Sequence, residues 1–115
     1  MFSIDAYQFG QITINQQKIH CDLVLSGDEI HEGWKRERAH FLQLADLEPY
    51  HSPFTTTWII GTGKFGVLKI APEVRAYCIQ NHIELIVEKT PKAIEAYRKI
   101  HSQSNNILGA FHIFC

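Results

Sequence analysis

The sequence predicts an α/β fold, on the α+β border, built on a mixed β-sheet. Three observations predict it. Short extended runs separated by turn residues fill the first third of the 115 residues and read as an antiparallel meander. From residue 55 the pattern becomes strand, helix, strand, helix, strand, which makes parallel pairs with right-handed crossovers. Both expected helices open on a proline, Pro72 and Pro91, whose fixed φ suits a first helical turn.

Residues 4–14 read as extended, with Phe9, Ile12 and Ile14 among polar neighbours, and Asn15, Gln16 and Gln17 as a hairpin turn. A second run spans residues 19–25 and breaks at Ser26, Gly27 and Asp28. Residues 29–34 can pair back as a third strand. Residues 35–53 are charged and turn-rich, with a short helical turn expected over residues 41–47, bounded by Pro49 and Pro53. Residues 55–60 are β-branched and aromatic without alternation, the mark of a strand buried on both faces. Gly61, Thr62 and Gly63 are expected to end it. A helix follows from Pro72, then a strand over residues 83–87. Thr90 is expected to cap the next helix, whose buried stripe is Ala93, Ile94, Tyr97 and Ile100. Residues 102–106 read as a polar loop and residues 107–114 as the last strand.

Residues 1–115 are expected to form one domain. Net charge is −1 and 20% of residues are charged, which argues against electrostatic capture of nucleic acid or a membrane surface. No apolar run approaches a membrane span, and the first residues lack the basic and apolar regions of a signal peptide, so the expected location is cytoplasmic. Three cysteines without CxxC spacing fit reduced thiols better than disulfides or a closed zinc site. A monomer or weak homo-oligomer is expected, with no cofactor and no metal.

Gly61-Thr62-Gly63-Lys64-Phe65-Gly66 matches G-x-G-x-x-G, and Glu88 lies where a ribose-binding acid would sit. Nucleotide binding is disfavoured, because the fingerprint needs a helix to open within the motif and the next helix start is Pro72. A weaker reading keeps the turn as a place where backbone approaches a small anionic ligand or a protein partner, with the Thr62 hydroxyl and Lys64 beside it. Trp34, Arg36, Arg38 and His40 put an aromatic ring beside cations and an imidazole, suited to a carboxylate or phosphate. His112 and Cys115 invite a thiol–imidazole pair, but positions three apart on a strand point to opposite faces. His20 and Asp22 share a strand face by the same rule. Together with His112 or His40 they offer metal-type donors, though hydrogen-bonded histidines explain them as well.

Taken together, these segments resemble the Mth-like (MTH-nine-three-eight-like) domain family, a domain of unknown function. Its members include an adipogenesis-associated Mth domain-containing protein and a mitochondrial complex I assembly factor. The resemblance rests on residues 7–14, on Trp34 with Arg36 or Arg38 and His40, and on the Ile59 to Gly63 run. Pro72, Thr90 with Ala93 and Tyr97, and the closing Phe111-His112-Ile113-Phe114-Cys115 complete it. The chain departs from the family pattern at Arg98 and Phe114. The resemblance implies a three-layer mixed-sheet fold with a groove near the Gly-Thr-Gly turn, and roles in assembly or regulation rather than a defined reaction. The expected function is therefore a binding or assembly module. Its site would have Gly61, Thr62 and Gly63 as floor, Lys64 and His112 at the edge, and Trp34, Arg36, Arg38 and His40 as wall. The alternative is a small enzyme with His40 or His112 as general base beside the amides of that turn.

Overall fold

A computed structural model describes residues 2–102 and 106–115; residues 103–105 of the expected loop at 102–106 lie outside the described residues. Strands β1 (Ile4–Gln8), β2 (Gln11–Ile14) and β3 (Gln17–Ile19) form a three-stranded antiparallel sheet. The sequence expectation of one extended run over residues 4–14 misses a hairpin. Phe9 and Gly10 turn the chain there, Gly10 at φ +76°, a left-handed conformation that glycine adopts without steric cost. The second turn is where it was expected. Asn15 and Gln16 both have positive φ, the twist that matches a two-residue hairpin. Side chains hold it: the Ser3 amide donates to Asn15 Oδ1 and the Gln16 amide to Asp5 Oδ2.

The run expected over residues 19–25 also divides. After Ile19 the chain leaves the small sheet, and β4 (Leu23–Ser26) begins in another. That main sheet has the order β5-β4-β10-β7-β9, with β5 (Glu29–Glu32), β7 (Thr57–Thr62), β9 (Glu84–Glu88) and β10 (Ile107–His112). β7 pairs in parallel with both β9 and β10, whereas β4 runs antiparallel to β5 and β10. The fold is thus the mixed α/β arrangement that the residue pattern predicts. β5 stops at Glu32 rather than residue 34, because Gly33 turns at φ +76°.

Side-chain alternation divides the core into two layers around this sheet. Leu23, Leu25, Ile59, Ile107 and Phe111 face the three-stranded sheet and helix α2 (Thr90–His101). Val24, Trp58, Ile60, Leu108 and Ala110 face the other way, toward helix α1 (Pro72–Gln80) and the irregular segment before β7. β7 is buried at every position, as its unbroken apolar run implies. It extends through Gly61 to Thr62 instead of ending at Gly61. The helical turn expected over residues 41–47 is replaced by β6 (Phe41–Leu42), paired with β8 (Lys69–Ile70), followed by two single 3-10 turns. On α2, Ala93, Ile94 and Tyr97 are buried as expected, and Tyr97 packs edge-on to Phe111 and stacks on His101. Among the described residues no helix is long and apolar enough to cross a membrane.

Candidate functional site

The C-terminal ends of β7 and β10 lie side by side, with Thr62 opposite His112. Two other stretches reach the same place. The crossing between β3 and β4 delivers Asp22, and the loop after β5 delivers Arg36 and His40.

Asp22 is the organising group. Its Oδ2 accepts hydrogen bonds from His112 Nδ1 at 2.8 Å and Arg36 Nη2 at 3.0 Å, and its Oδ1 accepts the Ile113 amide at 2.8 Å. Burial disfavours its charge, but the hydrogen bonds from His112 and Ile113 and the charge of Arg36 outweigh that. Its pKa lies below the usual carboxylate value. Arg36 is held in turn by the Ala39 carbonyl and by the face of Trp34, 4.7 Å from its guanidinium carbon. Trp34 is buried and donates its indole N–H to the Asp46 carbonyl.

An ionised Asp22 fixes the proton of His112 on Nδ1, so Nε2 presents its lone pair. Nε2 is buried and has no hydrogen-bond partner among the described residues, as is also true of Arg36 Nη1. The exposed His40 ring stands 6.0 Å from the His112 ring. Cys115 Sγ lies 3.8 Å from His40 Nε2. One nitrogen from each imidazole and the sulfur all lie within 4.8 Å of one another. The strand rule that separates positions 112 and 115 does not apply, because β10 ends at His112 and the chain curls beyond it.

The Gly-Thr-Gly turn is packed into this end of the molecule. The Gly63 amide donates to Thr90 Oγ1 at 2.9 Å, and that hydroxyl donates to the His112 carbonyl at 2.6 Å. The Lys64 amide donates to Phe114 O, the Gly66 amide to Gly63 O and the Val67 amide to Cys115 O. The Thr62 hydroxyl donates to Glu88 O. A side chain at Gly61 would meet Thr90 Oγ1 at 2.8 Å, and one at Gly63, where φ is +102°, would meet the Cys115 carbonyl oxygen at 2.6 Å. Close packing thus accounts for both glycines. Thr90 starts α2 rather than capping it; Lys89 is the cap, and the Thr90 hydroxyl ties β7 to β10 instead.

Of the residues expected to form a site, the fold brings together Arg36, His40, Gly63 and His112. Trp34 lies beneath Arg36 rather than on an open wall, and Arg36 already holds a carboxylate, that of Asp22. Arg38 is exposed and stacks over Phe41, 4.7 Å away. Lys64 is exposed and lines a hollow of about 350 Å³ with Glu88, Lys89, Pro91 and Lys92. His20 and Asp22 do not share a face; His20 is exposed and bonds to Gln11 Oε1. The sequence pattern offers Asp22 with His112 or His40 as metal-type donors and sets the His112–Cys115 pair aside; what it does not foresee is the ion pair of Asp22 with Arg36 and the approach of Cys115 to His40. A carboxylate directly before the apolar run Leu23 to Leu25 is a further signal that points to a buried partner.

A protein family described as protein of unknown function (DUF498/DUF598) matches residues 4–112. The chain belongs to that family. Solved structures agree with the fold of the family. A conserved hypothetical protein from Pyrococcus horikoshii, PH1505, is similar with a TM-score of 0.86 at 23% identity, covering 98% of this chain and 99% of that one. A protein called MT938 gives 0.82 at 20% identity over the full length of both chains. A Bordetella pertussis protein described as a Mth938-like domain gives 0.61 at 16% identity, over 97% of this chain and 85% of that one. The two family departures each have a structural role here. Arg98 donates from Nε and Nη2 to the Ile4 carbonyl, and Phe114 packs edge-on against Phe9.

Proposed function

We propose that the protein is a binding or assembly module whose partner docks at the end of the molecule carrying the Gly-Thr-Gly turn. The observation that carries this reading is an exposed aromatic cluster. Phe9 and Phe65 are 50% and 62% exposed, and Phe114 is 36% exposed. Phe9 contacts both of the others, with ring centroids 6.5 and 5.9 Å apart. Scattered apolar residues are normal on a surface, but three phenylalanines from three different segments, two of them gathered around Phe9, form a patch of the kind that marks interaction sites. Lys64 adjoins Phe65, and the hollow it lines with Lys89 and Lys92 supplies cations next to the patch. The ligand that suits both is a protein segment with apolar side chains followed by carboxylates. Cations on the rim would speed encounter, while the aromatic rings would carry most of the affinity.

The test is co-purification from the native cell, comparing the wild type with a Phe9→Ser/Phe65→Ser variant and with Lys64→Glu. Partner recovery is expected to fall sharply in the first and to lose its salt sensitivity in the second, with melting temperatures near that of the wild type. A partner retained equally by both variants refutes the reading. The general-base alternative has less support. His112 is well oriented by Asp22, but of the Gly61 to Gly63 amides that would hold an oxyanion, that of Gly63 is already bonded to Thr90 Oγ1 and those of Gly61 and Thr62 lie within the buried strand β7. Nucleotide binding through the glycine motif lacks the same amides, and residues 67–71 separate the motif from α1.

A further inference from the structure

We propose that His40, His112 and Cys115 form a three-ligand site for a divalent transition metal ion, Zn²⁺ in the first instance, with Asp22 as the carboxylate that orients His112. The proposal is independent of partner binding at the aromatic patch.

Two separate observations meet here. The first is the donor set. Two imidazoles and a thiol bring their donor atoms within 4.8 Å of one another, from three segments of the chain. The second is His112 itself. It is 5% exposed, and its Nε2 is buried without a hydrogen-bond partner among the described residues. A buried ring nitrogen left unsatisfied is unfavourable unless something binds it. The opposite nitrogen, Nδ1, is held by Asp22 at 2.8 Å. A carboxylate on one ring nitrogen and a free lone pair on the other is the arrangement by which proteins orient a histidine toward a metal.

The distances suit the chemistry after a small closure. Zinc–nitrogen and zinc–sulfur bonds in a tetrahedral site place their donor atoms roughly 3.3–3.6 Å apart, so the widest separation must close by about 1 Å. His40 Nε2 and Cys115 Sγ are already 3.8 Å apart. His112 is pinned, whereas His40 is exposed on a loop and Cys115 follows the end of β10, so those two supply the movement. Binding exchanges the thiol proton for the metal: the S–H bond breaks, an S–metal bond forms, and the proton leaves to solvent. The mixed nitrogen and sulfur set excludes Mg²⁺ and Ca²⁺, which need oxygen ligands. Three protein ligands leave a fourth position, on the side of the exposed His40, for water or an incoming ligand.

The experiment is a Co²⁺ titration of chelator-stripped full-length protein, followed by Zn²⁺ competition and melting curves with Zn²⁺, Mg²⁺ and Ca²⁺. The expected result is saturable visible bands of tetrahedral Co²⁺ with a thiolate-to-metal band in the near ultraviolet. Zn²⁺ should bleach these bands and raise the melting temperature, and Mg²⁺ and Ca²⁺ should do neither. Cys115→Ser should remove the thiolate band and His40→Ala should abolish the Zn²⁺-dependent melting shift. Both positions are at least partly exposed, so both variants should fold. His20→Ala and Cys21→Ser, which alter donors outside the cluster, should behave as the wild type. Asp22→Asn should keep the thiolate band but weaken binding by about 10- to 100-fold, the usual effect of losing such an orienting group. Absence of a thiolate band in the wild type, its persistence in Cys115→Ser, or an unchanged Zn²⁺ shift in His40→Ala overturns the proposal.

Discussion

Replacing Thr90 with valine exchanges one buried hydroxyl for a methyl group of nearly the same size, so any effect comes from hydrogen bonds rather than volume. Thr90 is fully buried. Its hydroxyl accepts from the Gly63 amide and donates to the His112 carbonyl, joining the ends of β7 and β10 beneath the imidazole cluster. In the valine variant both backbone groups lose that partner in a place where water has no access. A stranded buried polar group costs about 1–3 kcal/mol, so the pair should cost about 2–6 kcal/mol. For a chain of this size that corresponds to a fall in melting temperature of roughly 8–24 °C. Thr90→Ser keeps the hydroxyl and loses one buried methyl, at about 1 kcal/mol. The assay is urea unfolding followed by tryptophan fluorescence, comparing midpoints at constant slope. If valine at position 90 leaves the midpoint where it is, or if serine costs as much as valine, then the hydroxyl bridge does not tie the two strands and the account of the Gly-Thr-Gly turn fails with it.

Further outcomes follow from neighbouring groups. Asp22 has its pKa lowered in the fold: burial opposes ionisation, but the hydrogen bonds from His112 and Ile113 and the charge of Arg36 prevail. A carboxylate with a depressed folded pKa stabilises above its unfolded pKa, and that stability is lost as pH falls through the folded value. Stability should therefore drop as acid titrates below the ordinary aspartate range, and Asp22→Asn should flatten this limb in pH-dependent unfolding while costing about 3–5 kcal/mol at neutral pH. Burial pushes the Cys78 thiol up to about 11, against a smaller opposing pull from Arg75. Alkylation followed by mass spectrometry at mildly alkaline pH should then label Cys21 and Cys115, both half-buried, well before Cys78, which should react only on unfolding. Gly63→Ala places a methyl group against the Cys115 carbonyl at a φ of +102°. It should cost about 2 kcal/mol or more and speed Cys115 alkylation by loosening the curl after β10.

The second half of the fold was legible because its signals are local. The run from Thr57 to Ile60, the prolines at 72 and 91, and the periodic Ala93, Ile94 and Tyr97 each fix an element within a few residues. The first half was less so. Nothing between Ile19 and Leu23 breaks the extended pattern, yet there the chain passes from one sheet to another, because Ile12, Ile14 and Ile19 must cover one face of a sheet to which β4 belongs. β6 and β8 are two residues each and exist only through their pairing, which no local preference records. Arg36 and Gly63 lie in one region, but residue types alone do not show that Arg36 Nη2 is already bonded to Asp22 and the Gly63 amide to Thr90.

The site was only half legible for the same reason. Asp22 and His112 are 90 positions apart in the chain, and their bond depends on β10 lying next to β4 in the main sheet. Cys115 and His112 would face apart only if a strand reached the cysteine. Strand geometry ends at His112, and from there the Lys64 amide on Phe114 O and the Val67 amide on Cys115 O turn the chain over the glycine turn. The glycines that looked like a ligand cradle are thus what lets the segment ending at Cys115 fold back beside His40. A single constraint, the absence of a Cβ at Gly63, couples the sequence motif to the imidazole and thiol cluster. For that reason the Gly63→Ala variant is expected to disturb cysteine reactivity as well as stability.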